Sequence, residues 1–212
     1  MASLPMPNAA PPLPRFMPQW AREIETRLLT GKTIPTDRYL ADPTRILTDA
    51  GMTPDEWQAK LMKATWQRAL LLCSRQAGKS QVAGALTLAE ALTRPRSLIL
   101  LLSPTLRQSG ELFRDKLLPL WHALGRPLLD RPPTQLSLEL ANGSRVISLP
   151  SSEGGIRGYS GVRLLVVDEA ARVPDDLYRA VRPMLAVSHG RLIAMSSPFG
   201  KRGFFYEEWT SS

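Results

Sequence analysis

Three short stretches of this chain hold residues whose types and spacing suit phosphate chemistry. In the first, Ser74-Arg75-Gln76-Ala77-Gly78-Lys79-Ser80 follows the apolar run Ala69 to Leu72 and precedes what reads as an amphipathic helix. A strand, a small-residue loop and a helix in that order make a phosphate-binding loop: backbone N–H groups and the positive helix end cradle phosphate oxygens. Lys79 then neutralises the terminal phosphates, the Ser80 hydroxyl is placed to ligate Mg²⁺, and Gly78 leaves room for close approach. Cys73 stands where the usual pattern has its first glycine. In the second stretch, Leu164-Leu165-Val166-Val167 ends in Asp168-Glu169. An apolar strand ending in two acids needs a cation, so Asp168 is expected to hold hydrated Mg²⁺ and Glu169 to polarise an attacking water. In the third, the strand Arg191 to Met195 ends in Ser196-Ser197-Pro198, whose hydroxyls can sense a terminal phosphate by hydrogen bonding.

These stretches require a scaffold that brings strand ends together. The chain alternates strand Ala69–Leu72, helix from Lys79, strand Ser97–Leu102, helix Leu106–Leu124, strand Leu164–Val167, helix Pro174–Val187 and strand Arg191–Met195. Such alternation predicts a mostly parallel sheet with helices on both faces and the ligand site at the carboxyl ends of the strands. Leu136–Leu140 and Arg145–Leu149 flank Asn142-Gly143, which predicts an antiparallel hairpin at one sheet edge. Thr53-Pro54-Asp55-Glu56 reads as a helix start, with Thr53 as cap, Pro54 in the first helical position and Glu56 closing a capping box. The divisions expected are a Pro-rich tail over 1–15, a small helical region over 16–50 and a phosphate-loop domain over 51–212.

Bulk composition narrows the function. With 212 residues, 43% of them hydrophobic, the chain can bury one sizeable core. Lys and Arg number 27 against 19 Asp and Glu, a net charge of +8 that suits an anionic partner such as nucleic acid. A single cysteine, Cys73, allows no internal disulfide and no cysteine-rich zinc site, and the two histidines, His122 and His189, lie far apart in sequence. Apolar runs such as Ser97 to Ser103 are too short to cross a bilayer, and Met1 to Pro14 lacks the pattern of a secretory signal, so an intracellular protein is expected.

The loop Ser74 to Ser80, with arginine inside it and no leading glycine, resembles the variant phosphate loop of phage terminase large subunits. Ser196-Ser197-Pro198-Phe199-Gly200-Lys201-Arg202-Gly203-Phe204-Phe205-Tyr206 resembles that family's coupling motif and the segment after it. Ile156-Arg157-Gly158-Tyr159 is also similar to the family pattern. The resemblance runs from Trp57 to Trp209 and implies a RecA-like P-loop NTPase fold of the ASCE type, hydrolysing ATP with Mg²⁺. It also implies double-stranded DNA as cargo, a homo-oligomeric ring, portal and small-terminase partners, and work in the host cytoplasm at the procapsid portal vertex. By position, Gln58 resembles the adenine-reading glutamine, Arg75 an arginine reaching the γ-phosphate within its own subunit, and Arg157 an arginine finger acting on a neighbour's ATP. Arg157 could equally hold DNA phosphate. The family's C-terminal nuclease domain has no room before Ser212 and is expected to be absent. A helicase-like translocase and a non-catalytic DNA-binding module are the rival readings; intact Lys79, Ser80, Asp168 and Glu169 oppose the second.

Overall fold

The structure is a computed structural model that describes residues 36–151, 156 and 158–211. The Pro-rich tail, the first part of the expected helical region, and Gly154, Gly155 and Arg157 lie outside the described residues.

Six strands form one sheet: β1 Arg68–Leu72, β2 Leu98–Ser103, β3 Ser137–Glu139, β4 Arg145–Pro150, β5 Val162–Asp168 and β6 Arg191–Ser196, in the order β1-β6-β5-β2-β4-β3. All neighbours are parallel except β3 and β4. The antiparallel pair expected around Asn142-Gly143 is present, but β4 also runs parallel to β2, so only β3 is an edge addition. The turn is tied down by Asn142, whose Nδ2 donates to the Ala91 carbonyl at 2.8 Å.

Because side chains alternate across a strand, each central strand feeds two cores. Ile99, Leu101, Leu164, Val166, Ile193 and Met195 face one, while Leu100, Leu102, Leu165, Val167, Leu192 and Ala194 face the other. The first core is closed by α1 Asp37–Ala41, α2 Arg45–Asp49, α3 Glu56–Lys63, α4 Lys79–Thr93 and α6 Leu118–Ala123, while α5 Leu106–Glu111 packs on β2 and β4. The second is closed by α7 Asp175–Ala186 and α8 Gly203–Thr210.

Two helices depart from expectation for physical reasons. The helix after the loop, α4, is buried nearly all round from Val82 to Leu92 rather than amphipathic, because the sheet covers one side and the other helices the opposite side. Between α5 and α6 the chain widens into a π-helical stretch, Leu112–Leu117, just before Pro119, which has no N–H with which to continue the regular ladder. That stretch sets Phe113 and Leu117 fully in the core. α3 begins at Glu56 with Asp55 as cap, not Thr53, and Gln58 closes the box: its Oε1 accepts from the Asp55 N–H at 3.0 Å.

Candidate functional site

The site lies where β1, β5 and β6 end. Leu72, the last residue of β1, is in register with Ser196, and Cys73 N–H donates to the Ser196 carbonyl at 3.1 Å, so the phosphate loop starts against the tip of β6. The loop then turns through Gln76 at φ 63° and Gly78 at φ 78°, both left-handed, before α4 starts at Lys79. Gly78 is favoured by its backbone. Its φ is one that side chains rarely adopt, and a Cβ there would lie 2.4 Å from Gln58 Nε2. Gln58 is buried, and its Nε2 donates to the Gly78 carbonyl at 3.3 Å, so one amide joins the cap of α3 to the end of the loop.

Across from the loop, β5 delivers Asp168 in register with Met195 of β6. The chain then reverses at Glu169, which sits in the left-handed region at φ 46° and ψ 44°, a conformation that costs a non-glycine residue roughly 1–2 kcal/mol. The reversal turns the Glu169 carboxylate back toward the loop. Its Oε1 lies 3.5 Å from Lys79 Nζ, and its Oε2 accepts from Ser197 Oγ at 3.2 Å. The Ser196 hydroxyl donates to the Ser197 carbonyl at 2.9 Å and accepts from the Ala171 N–H at 3.3 Å, fixing the tip of β6 to the turn after Glu169.

The electrostatics are unbalanced. Lys79 and Asp168 are both buried. Loss of hydration and the neighbouring Glu169 charge push the Asp168 carboxyl up to about 6, against smaller opposing effects from the Glu169 N–H and Lys79. Two carboxylates facing one ammonium leave negative charge that a cation would neutralise. Asp168, with the Ser80 hydroxyl in the first turn of α4, supplies the hard oxygen donors that Mg²⁺ takes. Beside them, a cavity of about 460 Å³ is lined by Leu47, Met52, Gln58, Gly78, Lys79 and Ser80, with Lys116 from the π-helical stretch at its rim.

The structure thus brings together Gln58, Gly78, Lys79 and Ser80 around the cavity, and gathers Lys79 and Ser197 on Glu169, the first by an ion pair and the second by a hydrogen bond. Ser74, Arg75 and Gln76 are exposed on the loop, and Ala77 is half-buried. Arg75 makes no side-chain hydrogen bond or ion pair among the described residues. No local pattern pointed to Lys116 or Leu47 at the cavity, since both come from helical segments distant in the chain. Of the two Gln58 bonds, only the one to Asp55 has a local spacing, three residues, that could have signalled it.

A parallel strand running into a left-handed loop and a buried helix, with acids from a neighbouring strand facing the lysine, defines an α/β fold of the phosphate-loop class. The sequence pattern of the family described as "Terminase large subunit, T4likevirus-type, N-terminal" matches residues 70–212, and the chain belongs to that family. The terminase large subunit of Thermus phage G20c is 25% identical over 173 residues, covering 73% of this chain. This chain spans only 36% of that curated relative's length. The large terminase ATPase domain of Thermus phage P74-26 superposes with a TM-score of 0.67 at 22% identity, covering 77% of this chain and 71% of that one. The large terminase of a thermophilic bacteriophage, solved in complex with ADP, superposes with a TM-score of 0.57 at 18% identity over 80% of this chain and 42% of that one. The RecA-like α/β fold expected from the sequence is therefore shared with terminase ATPase domains. Among the described residues, no helix is long and apolar enough to cross a membrane.

Proposed function

We propose that this chain is the Mg²⁺-dependent ATP-hydrolysing part of a motor that drives double-stranded viral DNA into a procapsid. The observation that carries the reading is the contact of Lys79 with Glu169, 3.5 Å apart, which joins the phosphate loop to the acid-bearing strand in one site. The lysine and the carboxylate neutralise each other. An arriving polyphosphate competes for Lys79, freeing Glu169, still held by Ser197, to accept a proton from the attacking water. Mg²⁺, when bound by Ser80 and Asp168, would offset charge on the phosphate oxygens. Exposed Arg75 is free to swing toward the γ-phosphate. In this reading Gln58 meets the adenine while holding Gly78, and Arg157 completes a neighbouring subunit's site.

The family resemblance extends the reading to a homo-oligomeric ring, portal and small-terminase partners, and work in the host cytoplasm at the portal vertex. The net charge of +8 supports sequence-independent contact with DNA phosphates that weakens steeply with salt.

The test separates binding from chemistry. Lys79→Ala is expected to lose nucleotide binding, because the buried phosphate-neutralising charge is gone. Glu169→Gln is expected to keep it and lower turnover about 10²- to 10⁴-fold. Nucleotide titration and a phosphate-release assay read the two; equal loss of binding in both variants would overturn the assignment.

A further inference from the structure

A second cavity, larger than the one beside the phosphate loop, lies at the opposite pole, where β1, β5 and β6 begin, and has a volume of about 560 Å³. Its charged lining among the described residues is Lys63, Arg94, Arg163 and Arg191 against Asp42 and Glu90, an excess of two positive charges with His189 neutral. Lys63 and Asp42 pair with each other at 3.5 Å. The whole excess therefore falls on three arginines gathered around one acid.

That acid is Glu90, on α4, whose side chain is 4% exposed. Its Oε1 accepts from Arg163 Nε at 2.8 Å and lies 3.4 Å from Arg94 Nε, while its Oε2 accepts from an Arg191 Nη at 2.5 Å. Arg163 and Arg94 thus meet Glu90 through Nε, their Nη groups have no hydrogen-bond partner among the described residues, and both residues line the cavity. Arg191 is held further by the Trp66 ring, 4.7 Å from its guanidinium carbon, and the Trp66 indole N–H donates to the Leu61 carbonyl at 3.1 Å. The guanidinium side chains are 28%, 39% and 48% exposed for Arg191, Arg163 and Arg94, so they are oriented without being sealed off. A hub that served only to satisfy Glu90 would need one arginine; two more leave charge uncompensated in a concave wall, where the field is focused.

The geometry points to a second anion site, which takes a phosphate group. Planar forks with spare N–H pairs match the tetrahedral oxygens of phosphate, and an excess of two charges suits a phosphate dianion or two successive phosphodiesters better than one carboxylate. The phosphate can come from a free phosphoanion or from a DNA backbone. No residue of the phosphate loop takes part, so the site stands whether or not ATP is hydrolysed at the other pole.

The test uses the full chain carrying Lys79→Ala, so that the phosphate loop does not compete. Inorganic phosphate and, separately, a short DNA duplex are titrated at constant ionic strength while the Trp66 indole N–H resonance is followed, its assignment fixed by Trp66→Phe. Saturable shifts are expected, weakened about tenfold by Arg163→Gln and by Arg94→Gln, each of which deletes charge-assisted hydrogen bonds, and less by Arg163→Lys, which keeps the charge. Arg94 is half-exposed, and its loss leaves Glu90 with two partners, so that variant stays folded. A response to both probes assigns free phosphate as sufficient, and a response to duplex alone assigns the backbone. No saturable response to either, or affinities unchanged in both glutamine variants, overturns the site and leaves the arginines as neighbours of a structural acid.

Discussion

The two ends of the parallel sheet carry opposite imbalances of charge. At the carboxyl ends of the strands, Asp168 and Glu169 share one cation, Lys79; at the amino ends, one carboxylate, Glu90, shares Arg94, Arg163 and Arg191. Both groups are anchored on α4, which starts at Lys79 and carries Glu90 eleven residues on. Burial of an acid therefore says little alone. Glu90 is satisfied and holds its surroundings together, whereas Asp168 is under-compensated and held against its own hydration.

Removing the acids one at a time probes this contrast directly. Glu90→Ala leaves three guanidiniums facing one another and is expected to destabilise the fold by about 3 kcal/mol, read by urea unfolding. Asp168→Asn should do the reverse. The Asp168 carboxyl is raised from 3.8 to about 6, so the folded state binds its proton more tightly than the unfolded state does. Its contribution is therefore fully present at low pH and is lost as pH rises through about 6. In buffer free of metal and nucleotide, Asp168→Asn is expected to gain roughly 2–3 kcal/mol over wild type at about pH 8 and only about 0.5 kcal/mol at about pH 4. An equal gain at both values, or a loss at about pH 8, would show that Asp168 is as well paired as Glu90. The smallest effect belongs to Ser197→Ala, which deletes one partly buried hydrogen bond to Glu169 and should cost about 1 kcal/mol in thermal unfolding.

Much of the first pole was legible in the sequence because its parts are contiguous. Residues 74–80, 168–169 and 196–198 each sit at the end of an apolar strand, and a parallel sheet must bring such ends together. The second pole was not legible. Glu90, Arg94, Arg163 and Arg191 come from α4, its C-terminal end and two strands, and no local spacing joins them; only the order β1-β6-β5-β2 with α4 laid across it does. The same crossing explains why α4 is not amphipathic, since a sequence window shows a helix's own residues and not the α1–α3 layer that covers its outer side. Pro54 favours a first helical position and so points to Thr53 as the cap, whereas Asp55 takes that place with Gln58 as its reciprocal partner. The adenine role of Gln58 and the finger role of Arg157 rest on resemblance, and the bond from Gln58 to the Gly78 carbonyl, twenty residues away, was visible only in three dimensions.

The burial of α4 also has a mechanical consequence. A helix clamped between a sheet and a layer of helices neither shortens nor bends readily, and Lys79 and Glu90 are separated along it by about 16 Å. Packed in this way, α4 is a stiff link between the phosphate loop and Glu90. At its far end Glu90 ties the helix to Arg163 of β5 and Arg191 of β6, so an axial load on α4 would be borne by the starts of those two strands.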